Sequence, residues 1–240
     1  RNLDLGDSNI LKDIPKSDIV VAGPPCQGFS LTGPRNIDDP RNKLYLSVFK
    51  TLKLTNPKAF VVENVRGLKT MWDGNVFKEI IKKFESAGYI VTESLLNSAD
   101  YGVPQIRHRV FIVGIKKELN KKFEFPKPEF DKDNYITCGE AIDNLPSLEN
   151  GELKSINYNE KPTTNFQRYV MDCNKLYNHE ATLHKQFVKE TIALVPEGGN
   201  YKDLPKGVGD SRKFNEAWTR YHSKKPSRTI DTGHRNHFHY

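Results

Sequence analysis

The chain has 240 residues, enough for one large domain or a domain plus a smaller lobe, with 36% hydrophobic and 28% charged residues. No apolar run approaches the ~18 residues of a membrane span, and three cysteines without a CxxC pair argue against a disulfide framework. With no signal-peptide pattern at its start, the expected setting is a reducing cytoplasm. The net charge is +7, and residues 151–240 hold 15 basic against 10 acidic side chains, so the mild bias toward polyanions sits mostly in the last third. Charge alone does not separate a nucleic-acid surface from a solvated one.

Asp18-Ile-Val-Val-Ala-Gly23 is a short apolar run closed by glycine and two prolines and reads as a buried strand. Leu44, Val48, Phe49 and Leu52 recur at helical spacing, and Asn56-Pro57 ends that helix. Ala59-Phe-Val-Val62 is the next buried strand. Val76, Phe77, Ile80, Ile81 and Phe84 mark an amphipathic helix that Gly88 terminates through a left-handed cap. Tyr89–Leu96 and Arg109–Ile115 read as two further strands around a turn-rich stretch with Gly102 and Pro104. Strands alternating with helices imply an α/β fold with a doubly wound, mostly parallel sheet, in which ligands gather beyond the carboxyl ends of the strands. From Glu118 to Tyr135 the chain is rich in Lys, Glu and Pro, and 150–225 shows weak periodicity with Gly/Pro stretches, as a surface connection and a loop-rich second lobe would.

The first two strands each run into a reactive side chain. The first leads to Pro24-Pro25-Cys26-Gln27-Gly28-Phe29-Ser30, where the prolines stiffen the backbone before the thiol and Gly28 gives a flexible exit. Taken alone, Cys26 would be an ordinary cysteine buried in a turn. The second leads to Glu63-Asn64-Val65, and a carboxylate at the end of an apolar strand needs hydrogen bonds or a proton. In Gln105-Ile106-Arg107-His108-Arg109 the two arginines are two apart, on one face of an extended segment, where they could form a surface ion pair or a polar clamp. Both strand ends at one edge of a parallel sheet make a site.

In this order, Pro-Pro-Cys-Gln-Gly-Phe-Ser, Glu-Asn-Val and Gln-x-Arg-x-Arg strongly resemble the cytosine-C5 DNA methyltransferase family of the bacterial modification type. The similarity runs from Gly6-Asp7 to the end of the chain and includes Asp39-Pro-Arg41-Asn-Lys-Leu44 and Lys225-Pro226-Ser-Arg228-Thr229-Ile230. It implies the sheet of S-adenosylmethionine-dependent methyltransferases in a catalytic domain at 1–145, a target-recognition region at 146–224 and a return segment at 225–240. Catalysis would rest on Cys26 as nucleophile at C6 of a flipped cytosine, Glu63 at N3 and the exocyclic amine, Arg107 and Arg109 around the base, and Asn64 organising the loops. The implied cofactor is S-adenosylmethionine, leaving as S-adenosylhomocysteine, with contacts at Asp7, Pro24 and Leu44. The family's glycine-rich cofactor strand and turn belong upstream of Asp7 and its closing helix after Tyr240. Neither is present in a chain that starts at Arg1, so a longer protein or a complementary chain is expected.

The implied partner is duplex DNA, met by a monomer when complete. The loop after Cys26 would bring Ser30, Thr32 and Arg35 over the duplex. Gln105, Gly198, Gly199, Arg212, Arg220 and Arg228 are the further DNA-facing candidates, with Lys213 and Lys224 able to reach phosphates. Gly198 and Gly199 could equally serve simple turns. Two other functions remain open: methylation of transfer RNA, and a DNA-binding fragment inactive without a separate cofactor half. His234, His237 and His239 lack a cysteine pair and the spacing of a zinc site, so no metal is expected. Trp72 and Trp218 read as packing residues.

Overall fold

Four strands, β1 (Ile19–Ala22), β2 (Ala59–Val65), β3 (Tyr89–Asn97) and β4 (His108–Lys116), form one sheet in the order β1-β2-β4-β3. This is a computed structural model that describes residues 14–25, 45–148, 157–158, 160–172, 175–180, 184–208, 218–230 and 237–238. The chain divides into two compact units, the first Arg1–Asn97 with His108–Lys127 and the second Ser98–Arg107 with Pro128–Tyr240.

In the first unit β1 pairs with β2 in parallel, whereas β4 lies between β2 and β3 and runs antiparallel to both. Three of the four strands therefore share one direction, and the fourth reverses it. The reversal has a simple cause: the 98–107 connection holds only a 3₁₀ turn (Ser98–Tyr101), and a strand reached without a crossover helix pairs antiparallel with its predecessor.

Helices α1 (Tyr45–Thr55) and α3 (Asn75–Ser86), with the short α2 (Gly67–Thr70) between them, cover one face of the sheet. Val48 and Leu52 of α1 and Phe77, Ile80 and Phe84 of α3 meet Phe60, Val62, Tyr89, Val110 and Ile112 in a single apolar core. Asn56 ends α1 in the left-handed region at φ 51°, its N–H on the Leu52 carbonyl at 3.0 Å. Gly88 closes α3 at φ 93°, as its position predicts. Trp72 packs against the edge of this core.

Phe60 is the keystone, with ring centres 4.8 Å from Phe84 and 5.0 Å from Tyr89. Its ring lies across Gly114, its partner in the β2–β4 register, where an added Cβ would come within 2.1 Å of the ring.

The first strand departs from expectation. Val20 and Ala22 pack on the core, but Ile19 and Val21 are 58% and 76% exposed. Among the described strands β1 is the last in the sheet order, and Ile19 and Val21 point to the face that α1 and α3 do not cover.

The second unit contains α4 (Cys138–Ile142), α5 (Asn165–Val170), α6 (Gln186–Ala193) and a parallel two-residue pair, β5 (Thr219–Arg220) with β6 (His237–Phe238). Thr137 with Glu140 and Thr164 with Gln167 form capping boxes at the starts of α4 and α5. A small core of Val195 and Trp218 gathers Ile192, Tyr201 and Leu204. Among the described residues no helix is long and apolar enough to cross a membrane.

Candidate active site

The parallel register of β1 and β2 brings Ala22 beside Val62, so Gly23-Pro24-Pro25 and Glu63-Asn64-Val65 leave the sheet at the same edge. Successive side chains on β2 alternate. Phe60, Val62 and Asn64 face the helix-covered core, and Val61 and Glu63 face the other side.

Asn64 is an amide at a core position, only 6% exposed, and its hydrogen bonds explain how it is tolerated there. Nδ2 donates to the Pro24 carbonyl at 3.3 Å, and Oδ1 accepts from the Val65 N–H at 2.8 Å. The carboxyl end of β1 is thereby tied to that of β2 two residues before Cys26. Cys26 itself lies outside the described residues.

On the opposite face Glu63 meets Arg109 from β4. Arg109 is the register partner of Val65, one step diagonal to Glu63, so the two side chains share a face. The Arg109 Nε stands 2.8 Å from Glu63 Oε1, and Nη1 donates to the His108 carbonyl at 2.8 Å. The other carboxylate oxygen borders Gly23, where an added Cβ would sit 3.8 Å from Oε2. A carboxylate oriented by a guanidinium, beside the end of a pinned strand, can engage a planar polar ring while holding its own direction.

The family model of C-5 cytosine-specific DNA methylases matches residues 2–238. The chain belongs to this family. It is 38% identical over 245 residues to the type II methyltransferase M1.HphI of Haemophilus parahaemolyticus, covering 98% of this chain and 58% of that protein. M.DdeI of Desulfomicrobium norvegicum is 37% identical over 209 residues, covering 84% of this chain and 50% of that protein. The chain thus spans about half the length of the curated relatives it matches. In fold it resembles a protein described as a DNA modification methyltransferase encoded within a prophage of E. coli, with a TM-score of 0.68 at 23% identity, over 95% of this chain and 68% of the other.

Within this methylase-family chain the structure brings together Glu63, Asn64, Pro24 and Arg109 in the first unit. Asp7, Cys26, Ser30, Thr32, Arg35, Leu44 and Arg212 lie outside the described residues, as do the side chains of His234, His237 and His239.

The remaining candidates belong to the second unit. Arg107 precedes β4, and its Nη1 donates to the Ile230 carbonyl at 3.3 Å, a different partner from that of Arg109. Gln105 forms an isolated parallel bridge with Ser227, and Arg228 is exposed. Gly198 takes φ 76° with the His222 ring against it, its N–H on the Tyr221 carbonyl at 3.3 Å, while the Gly199 carbonyl accepts from Arg220 N–H at 3.0 Å. Arg220 is turned inward: Nη2 donates to the Ile192 carbonyl at 2.7 Å, and Nε is buried without a hydrogen-bond partner. That geometry holds the Arg220 guanidinium at the end of α6. Trp218 is a packing residue, as the sequence suggests.

Burial, reinforced by the charge of Asp143, pushes the Cys138 thiol up to about 11, so this cysteine is protonated and inert at neutral pH. Ser227 and Thr229 stand in the Lys225–Ile230 match without a role read for them, and Ser98 was passed over; their hydroxyls bind the backbone around Gln105.

Proposed function

We propose that this chain carries the catalytic machinery for transferring a methyl group from S-adenosylmethionine to C5 of a cytosine in duplex DNA, as part of a restriction–modification system. The observation that carries the reading is the pairing of Glu63 with Arg109 at the sheet edge where Asn64 pins the backbone leading to Cys26. Residues 146–224 would read the target sequence.

The target base must leave the duplex to reach this edge. Glu63 engages N3 and the exocyclic amine, withdrawing electron density so that C6 becomes electrophilic. Arg109 keeps Glu63 oriented through Nε and has further N–H groups on its planar fork to hold O2 of the base. The Cys26 thiolate adds to C6, and the electron pair of the C5–C6 double bond moves to C5, the atom that is methylated. That pair is used in the new bond from C5 to the methyl group. Loss of the C5 proton to a base then leaves the C5–H pair to re-form the C5–C6 double bond and expel the thiolate.

When bound, S-adenosylmethionine supplies an electrophilic methyl group carried on a sulfonium. The described part of its expected site fits such a ligand: Gly23 and Pro24 close β1 with little side chain, at the end where parallel strands leave a crevice. Asp7 would meet the adenine amine, and Leu44 would supply an apolar contact to the cofactor.

The test is tritiated methyl transfer by the complete gene product to duplex DNA and, in parallel, to transfer RNA. Cys26→Ala is expected to abolish transfer, and Glu63→Gln to reduce it by roughly 100-fold or more, the scale of acid–base assistance. Full activity of Cys26→Ala, or a preference for transfer RNA, would overturn the proposal.

A further inference from the structure

The segment Pro104–Arg107 carries Gln105 and Arg107 but belongs to no named strand. Pro104 lacks an N–H, so the segment cannot enter a regular two-sided ladder. Its carbonyls are nonetheless taken in succession. The Ser227 hydroxyl donates to Pro104 O at 3.1 Å, the Ser98 hydroxyl to Gln105 O at 2.7 Å, and the Thr229 hydroxyl to Ile106 O at 2.8 Å. The Ser98 N–H then takes the Arg107 carbonyl at 3.0 Å.

Two backbone bonds complete the arrangement, Ile106 N–H to Ser227 O at 2.8 Å and Ser227 N–H to Pro104 O at 2.9 Å. Ser227 and Thr229 are two apart in an extended stretch, so both reach the same neighbour while Arg228 between them is exposed. Three hydroxyls replace the strand that Pro104 excludes.

We propose that Ser98, Ser227 and Thr229 are positioning residues that fix the directions of Gln105 and Arg107, and that Ser227 and Thr229 tie this segment to the chain leaving the target-recognition region. Engagement of a cognate sequence is thereby coupled to the directions in which Gln105 and Arg107 are held. The inference rests on the methyl-transfer reading and adds to it the residues that connect recognition with chemistry. A bound backbone carbonyl that loses its hydroxyl donor frees the segment to rotate, and ångström-scale misplacement of a positioning group is costly to rate.

The experiment compares Thr229→Val, which keeps the shape and loses the donor, with Thr229→Ser, which keeps the donor, in the complete gene product. Two readouts are needed: steady-state methyl transfer to duplex DNA, and amide hydrogen exchange of a peptide covering 103–107. Thr229→Val is expected to lower kcat by about ten- to a hundredfold with KM for S-adenosylmethionine unchanged, and to speed exchange in that peptide. Thr229→Ser should restore both. Ser227→Ala, which retains the backbone bonds, should show the same pattern to a smaller degree.

Unchanged kcat in Thr229→Val, or failure of Thr229→Ser to recover it, would overturn the proposal. If the wild-type protein transfers no methyl group to DNA, the functional reading falls separately. The exchange readout still decides whether the hydroxyls hold the segment, and unchanged exchange in Thr229→Val would overturn that part too.

Discussion

The two units are held together by different means. The first has a continuous apolar core in which Phe60, Phe84 and Tyr89 interlock under two helices, with long strand ladders fixing the register. The second has a small core around Trp218 and Val195, and much of its definition comes from capping boxes, side-chain bonds to carbonyls and turns. A ladder satisfies backbone groups whatever the side chains are, so its sequence can be spent on packing. A loop-rich unit must assign particular hydroxyls and amides to particular carbonyls. The first arrangement suits a fixed constellation such as Glu63 with Arg109, and the second suits the sequence-reading role proposed for residues 146–224.

The largest stability effect should come from breaking the larger, continuous core of the first unit. Gly114→Ala pushes a methyl group into the Phe60 ring, whose nearest atom lies 2.1 Å from the new Cβ. Overpacking of this kind costs roughly 1–3 kcal/mol, and this contact places the variant at the upper end. Urea denaturation measures the loss, and Phe60→Leu in the same background should recover part of it by making room. If Gly114→Ala is neutral, the interlocked aromatic core is not what holds the first unit.

A smaller loss tests the second unit. Arg220 bonds the Ile192 carbonyl near the end of α6, but its Nε is buried without a partner. Arg220→Met deletes both the bond and the unsatisfied group, so the two terms offset and the net cost is about 1 kcal/mol. Denaturation of the variant should reveal that modest loss, with the salt dependence of DNA binding left nearly as in wild type. A clear drop in salt dependence would instead make Arg220 a phosphate contact.

The same contrast explains what could be read from sequence. Val48 and Leu52, or Phe77, Ile80 and Phe84, lie on helices long enough for the 3.6-residue period to show, and Asn56 and Gly88 punctuate them by backbone chemistry. The direction of β4 was less visible, although the lack of a helix between Asn97 and His108 is the physical clue to an antiparallel return. The exposed side of β1 was hidden because an apolar run does not say how many of its faces are covered.

In the second unit α4 and α5 are one to two turns long, too short for periodicity, yet Thr137-Cys-Gly-Glu140 and Thr164-Asn-Phe-Gln167 are legible capping boxes. At the site, motifs singled out Glu63, Asn64 and Arg109, and the fold brings the three to one sheet edge. The role of the Ser227 and Thr229 hydroxyls escaped notice because a bond to a carbonyl more than a hundred residues away leaves no local pattern.

The smallest effect asks whether the second unit is loose throughout. At the start of α4 it is not. The Cys138 and Gly139 N–H groups bond the Lys225 and Ser223 carbonyls at 2.9 and 2.8 Å, and the Cys138 side chain is buried. Burial first, and the Asp143 carboxylate second, raise the thiol to about 11 from an ordinary value of 9.0. A group whose folded value is raised favours the folded state fully below its unfolded value and loses that contribution as pH climbs toward the folded one. Stability should therefore fall between about pH 9 and pH 11, by somewhat under 1 kcal/mol, roughly, at pH 9.5. Thermal unfolding of wild type and Cys138→Ala at pH 7 and pH 9.5 separates this from other alkaline effects, since the variant lacks the titrating thiol whatever its cavity costs. An equal pH dependence in both proteins would mean that Cys138 ionises freely and that α4 opens as readily as the surrounding loops.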